Sequence, residues 1–300
     1  MNKIEFSCNK CFRVEQILHN NETVGTQVCL AVDDELKRRV VIKTMHFNDR
    51  EQKRLILEEI TNQTTLEQYS DYVPKIYNFI IDGKKSQAII EMQHIEGKSL
   101  RTIIDSASKM KKDKIWYDRQ YTLFMDVVKA VSYIHNLNGF VHKDIKPENI
   151  VVISKRNAVY ILDYGTSGLG TIDKGVGTAK YMAPEQISRA NTNFVYQSTD
   201  VFALAQVALE MFGYDTIEYG VDAVPDRVGN TWMEFKDISK IGADFYPELS
   251  TILKKALSLN PKDRYENARA FYEALNKGRR AGHGNRFQGK PNSKRPAKSH

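Results

Sequence analysis

His142-Lys143-Asp144-Ile145-Lys146-Pro147-Glu148-Asn149 is followed, fourteen residues after Asn149, by Asp163-Tyr164-Gly165. Short β-type runs at 149–153 and 159–162 surround this cluster and place its polar side chains on a loop between two strands. Carboxylates, ammonium groups and a carboxamide thus occur together in one short span of loop. Transfer of a phosphoryl group asks for those types: a carboxylate to align the acceptor, a cation on the migrating group, and oxygen ligands for Mg²⁺.

Toward the amino terminus, 12–18, 28–32 and 39–43 read as strands, with the turn-type pairs Asn20-Asn21 and Asp33-Asp34 between them. Apolar Leu55, Ile56, Ile60 and Leu66 recur at mixed three- and four-residue spacings, which predicts one amphipathic helix over 49–68 crossing that sheet. Two more strands, 75–81 and 87–93, flank Asp82-Gly83. After Gly97 the period turns helical, with Phe124, Val127, Val128, Val131 and Ile134 on one face of a helix over 121–137. The expected fold class is α+β in two lobes: a small antiparallel β-rich N-lobe with one helix, and a larger, mainly helical C-lobe.

The two quoted stretches resemble the H-R-D-x-K-x-x-N and D-F-G signatures of eukaryotic-type (Hanks-type) serine/threonine protein kinases. The resemblance covers about residues 13–276, with an N-lobe at about 13–92, a hinge at 93–97 and a C-lobe at 98–276; 1–12 is an extension and 277–300 a tail. It implies ATP as phosphoryl donor with Mg²⁺, or Mn²⁺ in its place, and Ser/Thr residues of proteins as acceptors, autophosphorylation included. Residue by residue, Asp144 takes the acceptor proton, Lys146 neutralises the γ-phosphate, and Asn149 and Asp163 hold the metal ion. Lys43, in Val40-Val41-Ile42-Lys43, contacts the α/β-phosphates and pairs with Glu59; Glu58 competes for that role, since adjacent helical residues point about 100° apart. Met92 is the gatekeeper, the backbones of Gln93 and Ile95 meet the adenine edge, and Val28, Val41 and Val151 sandwich the ring. Gly177-Thr178 through Ala183-Pro184-Glu185 resembles the end of an activation segment, which implies a protein substrate. There Thr178 sits near Asp144, Glu185 pairs with Arg264, and Asp200 braces the catalytic loop. Thr166, Ser167 and Thr171 are further hydroxyls of the segment, with Thr171 the expected autophosphorylation site.

Where the family has G-x-G-x-x-G-x-V, this chain reads Asn20-Asn21-Glu22-Thr23-Val24-Gly25-Thr26-Gln27-Val28, so only Gly25 remains to let backbone amides approach a phosphate. That loss motivates a rival reading, a nucleotide-binding pseudokinase or signalling scaffold. Lys143 replaces an arginine and loses its bidentate fork. Tyr164 replaces phenylalanine but keeps the aromatic surface. Gln63 is polar where the family packs an apolar side chain, which favours a readily disassembled inactive state.

The formal charge of +7 is a tail effect. Eight of the 44 basic residues fall at Lys277 or later, where there is no Asp or Glu, leaving 36 basic against 37 acidic residues over 1–276. That tail, rich in Gly, Pro, Lys and Arg with Phe287 its one aromatic, reads as disordered and solvated, autophosphorylated at Ser293 or Ser299, or in contact with a polyanion. Three cysteines, Cys8, Cys11 and Cys29, are too few for a disulfide framework, and Cys8-x-x-Cys11 lacks the second pair of a zinc site. No apolar run long enough for a membrane span or a secretory signal is present, so the expected location is cytoplasmic.

Overall fold

The computed structural model describes residues 3–7, 10–23, 25–137, 139–154, 158–165, 167–169, 178, 180–187, 196–216 and 238–284. Strands β1 (Lys3–Ser7), β2 (Lys10–Asn21), β3 (Thr26–Asp33) and β4 (Arg38–His46) precede helix α1 (Arg50–Glu67), and β5 (Ile76–Asp82) and β6 (Gln87–Gln93) follow it. They form one antiparallel sheet in the order β1-β2-β3-β4-β6-β5. Period-two alternation separates its faces. Phe12, Ala31, Val40, Ile42 and Ile89 are buried on one face, and Met45, Ala88 and Ile90 on the other, against Ile56 and Ile60 of α1.

α1 starts where Asp49 accepts the Gln52 amide at 2.7 Å while the Gln52 side chain accepts the Asn48 amide at 2.7 Å. Its buried stripe is Ile56, Glu59, Ile60, Gln63 and Leu66. Leu55, expected on that stripe, is exposed, because one residue of offset from Ile56 rotates it off the face.

The segment 1–12, read as an extension, carries β1 and the start of β2. Its anchor is Phe6, buried edge-to-face on Phe12 with ring centroids 5.6 Å apart. Five residues are too few for an alternation signal, so no strand is legible there from the pattern alone.

Beyond the sheet come β7 (Lys98–Ser99), α2 (Leu100–Ala107), α3 (Lys114–Ile134), β8 (Phe140–Val141), β9 (Ile150–Ile153), β10 (Ala158–Ile161), β11 (Gly168–Leu169), α4 (Pro184–Ile187), α5 (Gln197–Met211), α6 (Glu248–Ala256) and α7 (Ala268–Gly284). α3 begins seven residues before its expected start because Asp113 caps it, accepting the Trp116 amide at 3.0 Å. α5 is buried nearly all round from Ser198 to Leu209, as befits the central helix of a helical core. Between the lobes, Gly97 lies so close to β9 that a Cβ there would stand 2.6 Å from both the Val151 side chain and the Val152 carbonyl oxygen. The two-lobed α+β architecture is thus the one the sequence led us to expect. The tail boundary moves, however: α7 continues through 277–284, where an expected coil was to begin.

Candidate active site

β4 and α1 bring Lys43 and Glu59 together across the sheet. Lys43 Nζ donates to Glu59 Oε1 at 2.5 Å and reaches Asp163 Oδ1 at 3.4 Å. Burial opposes the Lys43 charge, but the Glu59 and Asp163 carboxylates outweigh it and raise its pKa. Lys43 in turn draws the Asp163 pKa below the ordinary carboxylate value against the effect of burial. Glu58, the competing partner, points outward to Arg54. Gln63 is buried and donates to the Pro74 carbonyl at 2.8 Å, so its polar head ties α1 to the approach to β5 and leaves no loose position there.

The loop between β8 and β9 carries Asp144 into the cleft. Asp144 Oδ1 accepts from the Thr178 amide at 2.9 Å and from its hydroxyl at 3.1 Å. Oδ2 accepts from Lys146 Nζ at 2.6 Å and from Asn149 Nδ2 at 3.1 Å. Lys146 also donates to the Thr178 hydroxyl at 2.8 Å, so ammonium, carboxylate and hydroxyl hold one another. Asn149 spends its amide nitrogen on Asp144, which leaves Oδ1 as its group for a cation. The backbone places Asp163 nearby, because the Leu162 amide donates to the Asn149 carbonyl at 2.7 Å. A carboxylate and an amide oxygen are hard donors, the chemistry that a Mg²⁺-like ion prefers, so this pair fits a nucleotide-bound divalent cation.

Three supports lie beneath. Asp200 at the start of α5 accepts from the His142 and Lys143 amides at 2.7 and 2.9 Å and from His135 Nε2 at 2.9 Å. His135 Nδ1 accepts the Ala268 amide at 3.1 Å, which assigns the proton to Nε2. Glu185 and Arg264 form a two-point pair at 2.7 and 2.8 Å, buried, with the Thr199 hydroxyl donating to Glu185 at 2.7 Å. Tyr164 is fully buried beside the His142 ring and donates its hydroxyl to the Ile161 carbonyl at 3.0 Å, which is how the extra oxygen over phenylalanine is accommodated.

At the hinge, the Gln93 amide is taken by the Lys75 carbonyl at 2.8 Å and the Ile95 carbonyl by the Gly97 amide at 2.9 Å. Of the hinge groups expected at an adenine edge, the Gln93 carbonyl and the Ile95 amide are the ones not used in these two bonds. Val28, Val41 and Lys43 share a sheet face with Met92, since Val28 pairs with Lys43 and Val41 with Met92. Val28, Val41 and Val151 are each half-buried. Gly25 adopts φ 68° in the turn after β2, and its carbonyl accepts the His46 amide at 2.9 Å. Thr166, Thr171, Gly177, Cys8, Phe287, Ser293 and Ser299 lie outside the described residues.

The sequence did not point to Arg101. Its guanidinium donates to Glu148 at 2.8 Å, to Glu210 at 2.7 Å and to the Tyr181 hydroxyl at 2.5 Å; Tyr181 and Lys180 also donate to Glu210. This network ties α2 and the catalytic loop to α5 and to the stretch before Ala183. Its members are spread widely along the chain, and charged residues on helix faces read as solvated, so no local pattern marks them.

A family profile described as "Protein kinase domain" matches residues 22–275. The chain is 26% identical over 235 residues to serine/threonine-protein kinase D of Synechocystis sp., covering 74% of this chain and 42% of that protein. It is 31% identical over 188 residues to serine/threonine-protein kinase PknB of Mycolicibacterium smegmatis, covering 60% and 28%. A probable serine/threonine-protein kinase of Clostridium acetobutylicum is 24% identical over 261 residues, covering 84% and 38%. The chain therefore spans less than half the length of each of these relatives. The matched stretch runs from the turn after β2 into α7 and takes in both Lys43 and Asp144, and on that ground the chain belongs to the protein kinase family.

Proposed function

We propose that this chain transfers the γ-phosphoryl group of ATP to Ser and Thr hydroxyls of protein substrates, its own included. The observation that carries the reading is the double fixation of Asp144, with Thr178 on one carboxylate oxygen and Lys146 and Asn149 on the other. A bound nucleotide with its Mg²⁺, or Mn²⁺, supplies the phosphoryl group and neutralises part of its charge. Asn149 and Asp163 would hold the cation and Lys43 the phosphates, with Glu59 orienting Lys43. Asp144 receives the acceptor proton, and Lys146 sits on the same oxygen, placed to offset charge on the migrating group. Adenine lies against Val28, Val41 and Val151 beside Met92, on the Gln93 carbonyl and the Ile95 amide. Thr171 is the autophosphorylation site of this reading.

The names of the relatives support the serine/threonine assignment, and their chemistry argues against the scaffold alternative. No described helix is long and apolar enough to cross a membrane. A cytoplasmic location and polyanion contact by the basic tail belong to the same proposal. The test is transfer of labelled phosphate from ATP to a generic protein, wild type beside Asp163→Asn. Transfer by wild type and about a hundredfold or greater loss in the variant are expected, since a cation ligand is removed. Nucleotide binding without transfer in both would establish the scaffold reading.

A further inference from the structure

Gln186 in α4 is buried, and both ends of its carboxamide are in use. Oε1 accepts the Ala183 amide at 2.9 Å, and Nε2 donates to the Lys143 carbonyl at 2.8 Å. Lys143 has φ 71°, the left-handed region that costs a side-chain-bearing residue energy. Its own amide is held by Asp200 at 2.9 Å, and the next amide, that of Asp144, donates to His142 Nδ1 at 3.3 Å. The peptide plane between Lys143 and Asp144 is thus gripped at its oxygen by Gln186 and at its nitrogen by His142. A peptide unit turns as one rigid body. Losing the grip on the oxygen lets the plane rotate toward a less strained geometry, which moves the Asp144 amide and, with it, the direction in which the Asp144 side chain leaves the backbone.

We infer that Gln186 is a positioning residue for phosphoryl transfer: its carboxamide holds the strained Lys143 carbonyl and so aims Asp144. It also fastens the catalytic loop to the Ala183–Glu185 stretch, which Arg264 anchors. Both an acceptor and a donor are needed at once, and a carboxamide of this length provides them. Glutamate keeps the acceptor for Ala183 but turns a second oxygen toward the Lys143 carbonyl. The inference rests on the proposed role of Asp144.

The experiment compares wild type, Gln186→Glu, Gln186→Met and Asp144→Asn on one protein substrate with Mg·ATP, measuring kcat, KM for ATP, melting temperature and amide hydrogen exchange over 142–149. Both Gln186 variants should lose kcat by about ten- to a hundredfold, with KM for ATP within about twofold, because the carboxamide bonds of Gln186 go to Ala183 and Lys143 and not to the residues proposed to cradle the nucleotide. Exchange over 142–149 should rise while the fold stays intact at the assay temperature. Lys143→Gly relieves the left-handed strain, so the extra loss from Gln186→Glu in that background should shrink to within about threefold. A Gln186→Glu enzyme within twofold of wild type, an undiminished penalty in the Lys143→Gly background, or unchanged exchange over 142–149 would each overturn the inference. Equal turnover in wild type and Asp144→Asn would instead remove the role of Asp144 itself; the exchange result stands independently of catalysis.

Discussion

Asp144→Asn keeps the shape of the side chain but removes the charge that Lys146 and Thr178 surround. We expect phosphoryl transfer to fall by about two to four orders of magnitude while ATP affinity changes little, because the proposed nucleotide contacts, Lys43, Glu59 and the hinge, do not include Asp144. Initial rates and nucleotide titration on the same preparation check it; unchanged turnover would refute the assignment. Asp200 acts on stability. Burial works against its charge, but the hydrogen bonds from His135 and the His142 amide outweigh it and hold its pKa below the ordinary carboxylate value. A depressed pKa means stability present above the unfolded carboxylate pKa and lost as pH falls through the folded one, so Asp200 contributes at neutral pH and loses its contribution only in strong acid. Asp200→Asn should cost about 3 kcal/mol at pH 7 and flatten the acid side of the melting-temperature profile. At this scale the sequence was readable wherever residue types recur at fixed spacing, as with Lys43, Asp144, Asn149 and Asp163. It left open the choice between Glu58 and Glu59, because helical phase is set by which face Ile56 and Ile60 bury. Gln186 gave no signal, since a glutamine's worth lies in partners distant along the chain.

Among the elements, the β1–β2 hairpin is the part that pattern reading did not reach. Phe6 closes the sheet face opposite α1, over Phe12, Ala31, Val40, Ile42 and Ile89. Lys10, just after the hairpin turn, donates to buried Glu91 at 2.8 Å, and Arg38 donates to the other Glu91 oxygen at 2.9 Å. Glu91 precedes Met92 on β6, so the hairpin's ion pair ends one residue from the hinge side of the cleft. An acidic residue in the middle of the apolar run Ala88–Met92 signals a buried partner, though nothing local identifies Lys10, 81 residues away, as that partner. Phe6→Ala should lower unfolding free energy by about 3 kcal/mol through lost burial and a residual cavity. Because Lys43, Glu59 and the proposed adenine slot occupy the other face, turnover at a temperature where the variant is folded should stay within about twofold of wild type. Denaturant melts beside initial rates decide this, and a large catalytic loss without destabilisation would show that the hairpin acts on the cleft directly.

Across the whole molecule, polar ties between described residues join the two lobes. Lys43 to Asp163 is one, and Asn62 Nδ2 to the Ser167 carbonyl at 3.0 Å is another. The helical lobe is closed at its far end by α7, and there composition misled: the run of Lys, Arg and Gly from Lys277 reads as solvated coil, yet its first turns pack. Tyr121, buried in α3, donates its hydroxyl to the Leu275 carbonyl at 2.7 Å. Arg279 donates to the Thr122 hydroxyl at 3.0 Å and lies over the Tyr121 ring at 5.9 Å. Gly278 sits against α6 so closely that a Cβ would stand 2.7 Å from Ile252 Cδ1. Charge content conceals such packing because an arginine stem buries apolar surface while its head stays wet. Two truncations should therefore behave differently. Ending the chain after Asn276 removes the Arg279 contacts and the helical turn that follows Leu275, and should cost about 2 kcal/mol. Ending it after Gly284 removes only a segment with five basic residues, Arg286 to Lys298, whose composition offers no apolar stripe, and should leave the melting temperature and the turnover on a generic substrate near wild type. Only the longer cut should touch stability, whereas either should abolish any salt-sensitive polyanion binding, because those five charges are lost in both. Equal melting temperatures for the two truncated proteins would show that the last turns of α7 contribute nothing to holding the helical lobe together.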